Sequence, residues 1–248
     1  MAETSPWLFR YRIWLFAAIF FVSFSVGAVL AKNPPFDHDY GILSLPRDAT
    51  IASSPGVASS LLPWLALPIA LTALGALVRA WGTSYLRGHI MTDSALHTDR
   101  LIVSGPFRYL RNPLYTGNLL IGAGYGLLFP PPAMPLCVLG MALLGAALAR
   151  IEAKAIAARH GADYEQYRKA VRAFVPGPPR SALPPGADVK PDWINGLASE
   201  MIHPLACLYL IFIVQAQYVL ALVTIAGVFA LGWRRRLMNI RARAATAR

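Results

Sequence analysis

The sequence predicts an all-α integral membrane protein, a six-helix transmembrane bundle with a cytoplasmic helical cover. Three observations lead there. Of 248 residues, 56% are hydrophobic and only 14% are charged, against roughly 25% charged in soluble domains. Apolar runs recur along the chain at the length of about 20 residues that a helix needs to cross a bilayer. The formal charge of +11 gathers at the flanks of those runs. A nucleic-acid surface would instead gather it on polar faces, so no nucleic-acid partner is expected and the lipid bilayer is.

The first expected span is 13–31, preceded by Arg10 and Arg12. Val29-Leu30-Ala31 also resembles a signal-peptidase site, but the run exceeds the usual apolar region of about 7–15 residues. It is therefore read as a span. The second is 61–80. Residues 114–129 and 133–149 flank Pro130-Pro131-Pro132 and read as a tight hairpin, because proline lacks the N–H needed to continue a helix. The last apolar stretch, His203 to Trp233, would exceed about 40 Å as one helix, beyond a hydrocarbon core of about 30 Å. Two shorter spans, 201–214 and 217–233, turning near Gln215 and Gln217, are expected instead. With both termini cytoplasmic, this arrangement places all but two of the 23 lysines and arginines inside. The exceptions, Lys32 and Arg47, share a loop with Asp37, Asp39 and Asp48. A single final span would put the C-terminal arginines outside, against the positive-inside rule. The whole chain, 1–248, is read as a single membrane domain.

Two cytoplasmic segments remain, 81–112 and 150–200. The second continues the fourth span as a helix, with Tyr164, Tyr167 and Val171 on one apolar face, and stops at the proline-rich stretch from Phe174 to Pro179. The first contains LIVSGPFRYLRNPLYTG, Leu101 to Gly117. Pro113 suits the first helical position and Asn112 the N-cap, its side chain accepting from backbone N–H groups. Capping alone accounts for the Asn-Pro step, and membrane anchoring alone accounts for Arg108 and Arg111. The same helix start also attracts a carboxylate or phosphate. Glu152 is the one acidic residue between Asp99 and Asp163, at the end of an apolar run where an unpaired carboxylate is costly. Cys137 and Cys207 lie inside apolar runs and the five histidines are scattered. Neither a disulfide framework nor a protein-built metal centre is expected.

LIVSGPFRYLRNPLYTG, followed about 35 residues later by RIEAKAIAARHGADYEQYRKAVRAFVP, resembles the isoprenylcysteine carboxyl methyltransferase family and its phospholipid methyltransferase relatives. Their pattern is L-V-x-x-G-P-Y-x-x-x-R-H-P-x-Y-x-G, then E-E-x-x-L-x-x-x-F-G-x-x-Y-x-x-Y-x-x-x-V-x-x-F-x-P, and it covers residues 95–176 here. The resemblance implies S-adenosylmethionine bound at the cytoplasmic side and an amphiphilic, prenylated or lipid substrate arriving from the bilayer. It places cofactor contacts at Asp99, Arg100, Leu101, Ile102, Phe107, Asn112, Pro113, Leu114, Tyr115 and Glu152. Glu152 and Arg111 are the residues expected to serve the chemistry.

The chain departs from the pattern at Asn112, where the family has histidine, at Phe107, where it has tyrosine, and at Ala153, where it has a second glutamate. The isoprenylcysteine enzymes also carry a substrate-binding arginine four residues before the first glutamate. Leu148 stands there, leaving Arg150, about 200° around the helix, as the substrate-contact candidate. Tyr164 and Tyr167 would lie about 18 Å from Glu152 along a straight helix and are expected to pack rather than to touch the cofactor. Two other function classes fit less well. A nicotinamide-dependent membrane reductase would need a phosphate loop that 81–112 lacks, and a transporter or assembly subunit would show mid-membrane charges.

Overall fold

The computed structural model describes residues 7–30, 55–86, 100–128, 133–187 and 189–203, with 205, 208, 223, 224, 226, 227 and 230 described singly. Six α-helices are named in this part of the chain: α1 (Trp7–Arg10), α2 (Arg12–Leu30), α3 (Pro55–Tyr85), α4 (Pro113–Gly126), α5 (Ala133–Ala170) and α6 (Trp193–Glu200). A 3-10 turn, Gly105–Arg108, precedes α4. Among the described residues there is no strand, and one isolated parallel bridge joins Ile102 to Ala187.

The apolar runs became helices close to where hydropathy places them. The first span appears as α2, and the second as the longer α3, which begins before residue 61 and continues past residue 80. The third and fourth apolar runs appear as α4, ending at Gly126 rather than 129, and α5; the turn expected at Pro130-Pro131-Pro132 lies outside the described residues. The expected spans 201–214 and 217–233 fall largely outside the described residues. The Ala66–Tyr85 part of α3 and α5, through an apolar 18-residue stretch of it, are long and apolar enough to cross a membrane, and the apolar part of α2 is shorter.

Large apolar side chains point away from the bundle: Trp14, Phe21, Leu77 and Leu143 are all more than 60% exposed. A soluble globule would turn such a set inward. The outward face is therefore apolar, as association with a membrane requires, and the bundle interior holds smaller groups instead. Gly75 of α3 and Gly117 of α4 meet backbone to backbone, a Cβ on Gly117 falling 2.7 Å from the Gly75 carbonyl oxygen. Between apolar helices in lipid, such close approach supplies the van der Waals contact that hydrophobic exclusion does not. α2 closes the other side of α5. A Cβ on its Gly27 would fall 2.5 Å from that of Ala133, and Phe20 meets Tyr125 of α4 edge to face.

α5 departs from the expected straight rod that runs on to Phe174. Its backbone leaves helical geometry at Gly161 (φ 49°, ψ −120°), and the helix ends at Ala170. That break turns the second part of α5 back, so Tyr164, Tyr167, Ala170 and Val171 pack with Leu101 and, at the edge, with Ala153, Ile156 and Ala157. The tyrosines are packing residues of the cover, as expected, but the 18 Å separation along a straight helix does not apply. The space around Gly161 is open, so its requirement is the backbone angle alone, which a β-carbon disfavours by about 1–3 kcal/mol. Gly161→Ala is expected to lower the thermal midpoint of the detergent-solubilised protein by several degrees. An unchanged midpoint would mean that the reversal does not depend on this glycine.

Residues 193–200, unassigned by the sequence, form α6. Asp192 caps it, its side chain accepting from the Asn195 N–H at 3.1 Å. Hydrogen bonds from Asn195 hold the Asp192 carboxyl below the usual aspartate range. The helix is amphipathic with the apolar side outward: Trp193, Ile194 and Leu197 are exposed, whereas Gly196 and Glu200 are buried against α3.

Candidate functional site

α4 begins at Pro113, whose missing N–H costs nothing at the first helical position. Tyr115 therefore sits in the first turn. Across from it, α5 lacks a side chain at Gly145, against which the Tyr115 ring rests. Glu152 is seven residues further along α5, on the same face two turns on. Tyr115 Oη donates to Glu152 Oε1 at 2.7 Å. The two halves of the motif, 37 residues apart, thus meet at one half-buried polar point where the bundle passes into its cover. A carboxylate offers about four acceptor positions, and Tyr115 uses one.

The cover is tied to the start of α4 by a ladder from the segment after α5. The Arg111 backbone N–H donates to the Arg172 carbonyl and its Nε to the Val171 carbonyl, both at 2.9 Å. Asn112 reaches the Ala173 carbonyl through its backbone N–H at 3.2 Å and through Nδ2 at 3.0 Å. Thr116 Oγ1 donates to the Phe174 carbonyl at 3.2 Å. Tyr167 Oη donates to the Phe107 carbonyl at 2.8 Å, and the Ala187 N–H to the Leu101 carbonyl at 3.0 Å.

This ladder corrects one expectation. Asn112 occupies the N-cap position, but its side chain makes no capping bond. The amide is instead drawn outward as a donor to Ala173. The cap residue's side chain therefore makes no bond to the first-turn N–H groups of α4.

The other expected site residues divide clearly. Pro113 is buried, Leu114 packs on Gly82 of α3, and Leu101 sits in the tyrosine core. Phe107 is half-buried beside that core, while Ile102 is engaged in the bridge to Ala187. Arg100 and Arg150 are both exposed, and Leu148, the position before Glu152 discussed above, is completely buried. Arg111 is engaged by the cover. Asp99 lies outside the described residues. Beside the motif there is an open cavity of about 260 Å³ lined by Val103, Ser104, Gly105, Arg108, Leu183, Gly186 and Ala187; Glu152 and Tyr115 do not line it. The Ser104 hydroxyl is buried with no hydrogen-bond partner among the described residues.

Sequence reasoning missed two contributors. Arg12, read as an anchor of the first span, acts electrostatically on both Glu152 and Tyr115. Arg79, counted by the sequence only among the charges expected inside, forms a buried ion pair with Glu200: Nε and Nη2 donate to its two carboxylate oxygens at 2.7 and 3.0 Å. Glu200 did carry a signal, being an acidic residue directly before an apolar run, the cue that singled out Glu152.

Comparison with known proteins adds one match. A family model described as phospholipid methyltransferase matches residues 64–163, a stretch that contains α4, Tyr115 and Glu152 and overlaps the motif-bearing segment 95–176. No curated protein and no solved structure gives a significant match.

Proposed function

We propose, from the match of residues 64–163 to the phospholipid methyltransferase family model, that this protein is an integral membrane methyltransferase using S-adenosylmethionine. Its acceptor is a hydrophobic or lipid-like molecule that reaches the cytoplasmic side from the bilayer. In this reading six spans cross the membrane, both termini are cytoplasmic, and residues 95–176 form the cofactor region. The observation that carries the reading is the Tyr115–Glu152 hydrogen bond. It joins the start of α4 to the carboxylate on α5, two of the places from which the motif resemblance draws cofactor contacts.

The residues present fit a zwitterionic, sulfonium-bearing cofactor. Glu152 supplies negative charge at a half-buried point, where it favours the ammonium or the sulfonium. The uncapped N–H groups of Leu114 and Tyr115 suit a carboxylate, and the rings of Phe107 and Tyr115 suit an adenine. When bound, S-adenosylmethionine supplies the electrophilic methyl group. The protein's own work is positional: Glu152 and the α4 start hold the donor, and the cover excludes water from above. The lipid side stays open to an acceptor. Aligning donor and acceptor in this way lowers a barrier by about 7–11 kcal/mol, so methyl transfer requires no further acid or base if the acceptor is already nucleophilic.

Calorimetric titration of the detergent-purified protein with S-adenosylhomocysteine tests the reading, with reduced nicotinamide dinucleotide as comparison. Saturable binding of the homocysteine compound, absent for the nicotinamide, is expected. Binding of the nicotinamide alone, or of neither, would reject it.

A further inference from the structure

We infer that the buried Arg79–Glu200 pair is a positioning device for the Tyr115–Glu152 site, so that α6, outside the family-matched segment, sets the geometry of the site helix. Arg79 stands on α3 with its side chain 13% exposed, and the Glu200 side chain is 4% exposed. A buried carboxylate and guanidinium persist when nearly every donor and acceptor is used, and here they are. One edge of the guanidinium, Nε and Nη2, is engaged by the two carboxylate oxygens of Glu200. The remaining nitrogen, Nη1, donates to the Leu114 carbonyl at 3.3 Å and to Asn118 Oδ1. Thr83 Oγ1 reaches Glu200 Oε1 at 3.4 Å, and His203 Nε2 lies 3.8 Å from Glu200 Oε2.

Leu114 and Asn118 bracket Tyr115 in the first turns of α4. Arg79 therefore holds the turn that aims the tyrosine at Glu152, and Glu200 fixes the rotation of Arg79. The guanidinium is committed to four protein contacts, which leaves it a support rather than a ligand-binding group. The stem of Arg79 passes directly over Gly117, where a Cβ would meet its Cγ. α6 in turn is seated on α3 through Gly196, which abuts the Ala80 carbonyl, and through the Asp192 N–H, which donates to the Ser84 carbonyl at 2.7 Å.

This inference rests on the proposed function for its consequence, but its geometry is testable without any ligand. A fluorotyrosine placed at position 115 of the full-length protein reports its hydrogen bond to Glu152 through its fluorine resonance. Glu200→Gln is expected to move that resonance toward its position in Glu152→Gln and to weaken S-adenosylhomocysteine binding about tenfold. Arg79→Lys keeps the charge opposite Glu200 but loses the fork to Leu114 and Asn118; it is expected to do the same, and it serves if Glu200→Gln does not fold. Asp192→Ala, which removes the side-chain cap on Asn195 but keeps the backbone N–H that seats α6 on α3 and the Glu200–Arg79 pair, is expected to leave the resonance in place. An unshifted resonance in folded Glu200→Gln or Arg79→Lys would overturn the inference, as would an equal shift in Asp192→Ala. A shifted resonance in a protein that binds no S-adenosylhomocysteine even as wild type would uphold the positioning and reject the methyl-donor reading.

Discussion

Glu152→Gln is expected to weaken S-adenosylhomocysteine binding about ten- to a hundredfold while leaving the helical content of the protein unchanged. Glutamine keeps the shape of the side chain and an oxygen able to accept from Tyr115 Oη, so the 2.7 Å contact has a neutral substitute. The negative charge is what disappears. Hydrogen bonds to a charged group contribute about 1.5–3 kcal/mol, which corresponds to about one to two decades in dissociation constant. Tyr115→Phe removes the donor and leaves the charge, and its expected effect is smaller, about three- to tenfold. A comparison of ligands then locates the partner of the carboxylate. If Glu152→Gln harms S-adenosylmethionine binding more than S-adenosylhomocysteine binding, Glu152 faces the sulfonium; an equal loss assigns it to the ammonium common to both. Wild-type affinity in both variants would remove Glu152 and Tyr115 from the cofactor site.

Gly117→Val is expected to be the most damaging single change in the bundle. A Cβ at this position would overlap the Arg79 stem and fall 2.7 Å from the Gly75 carbonyl oxygen. The arginine stem has some freedom, but the backbone of α3 can yield only by moving the whole helix. Forcing extra carbon into such a contact costs about 3 kcal/mol. The substitution also displaces the guanidinium that holds Leu114 and Asn118, so packing and site geometry fail together. A thermal melt of the solubilised protein, monitored by circular dichroism or by aggregation, is expected to show a loss of many degrees. Leu143→Val, on an outward apolar position 63% exposed, serves as the control and is expected to change little. A wild-type melting curve for Gly117→Val would mean that α3 and α4 do not meet at this point.

The contrast between these two positions shows which features local sequence carries. Glu152 was legible because a carboxylate at the end of an apolar run is expensive anywhere, and that expense is a property of the residue and its immediate neighbours. The start of α4 was legible for the same reason, since proline after asparagine marks a helix start whatever surrounds it. Gly117 is the last fixed position of the resembled pattern, but neither that pattern nor LYTGN distinguishes a glycine pressed against another backbone from one that merely weakens a helix. Gly161 is similar: a single glycine in a helical pattern is ordinarily tolerated, and only its φ of 49° reveals that the chain turns back there. The Asn112 side chain was assigned to the cap by a local rule, and a neighbouring carbonyl, that of Ala173, outcompeted the helix for it.

α6 lies between these cases. Asp192 before Trp193-Ile194, with Leu197 three residues on, is a readable capped and periodic segment, but it follows a proline-rich stretch that obscured it. Its partner was not readable at all. Arg79 and Glu200 are separated by 121 positions, and no local pattern ties an arginine expected on the positive inside to a glutamate that far along the chain.

By itself, the sequence determined that the apolar stretches described as α2 to α5 are helical and which motif the segments between them resemble. Those features follow from run length against bilayer thickness, from proline and from residue order, all of which are local. Only the tertiary structure decided which polar side chains meet: Tyr115 with Glu152, Asn112 with Ala173, and Arg79 with Glu200. Each residue turns a helix by about 100°, so such meetings depend on how each helix is rotated and how closely it crosses its neighbour, and glycine contacts made far away in the chain set both.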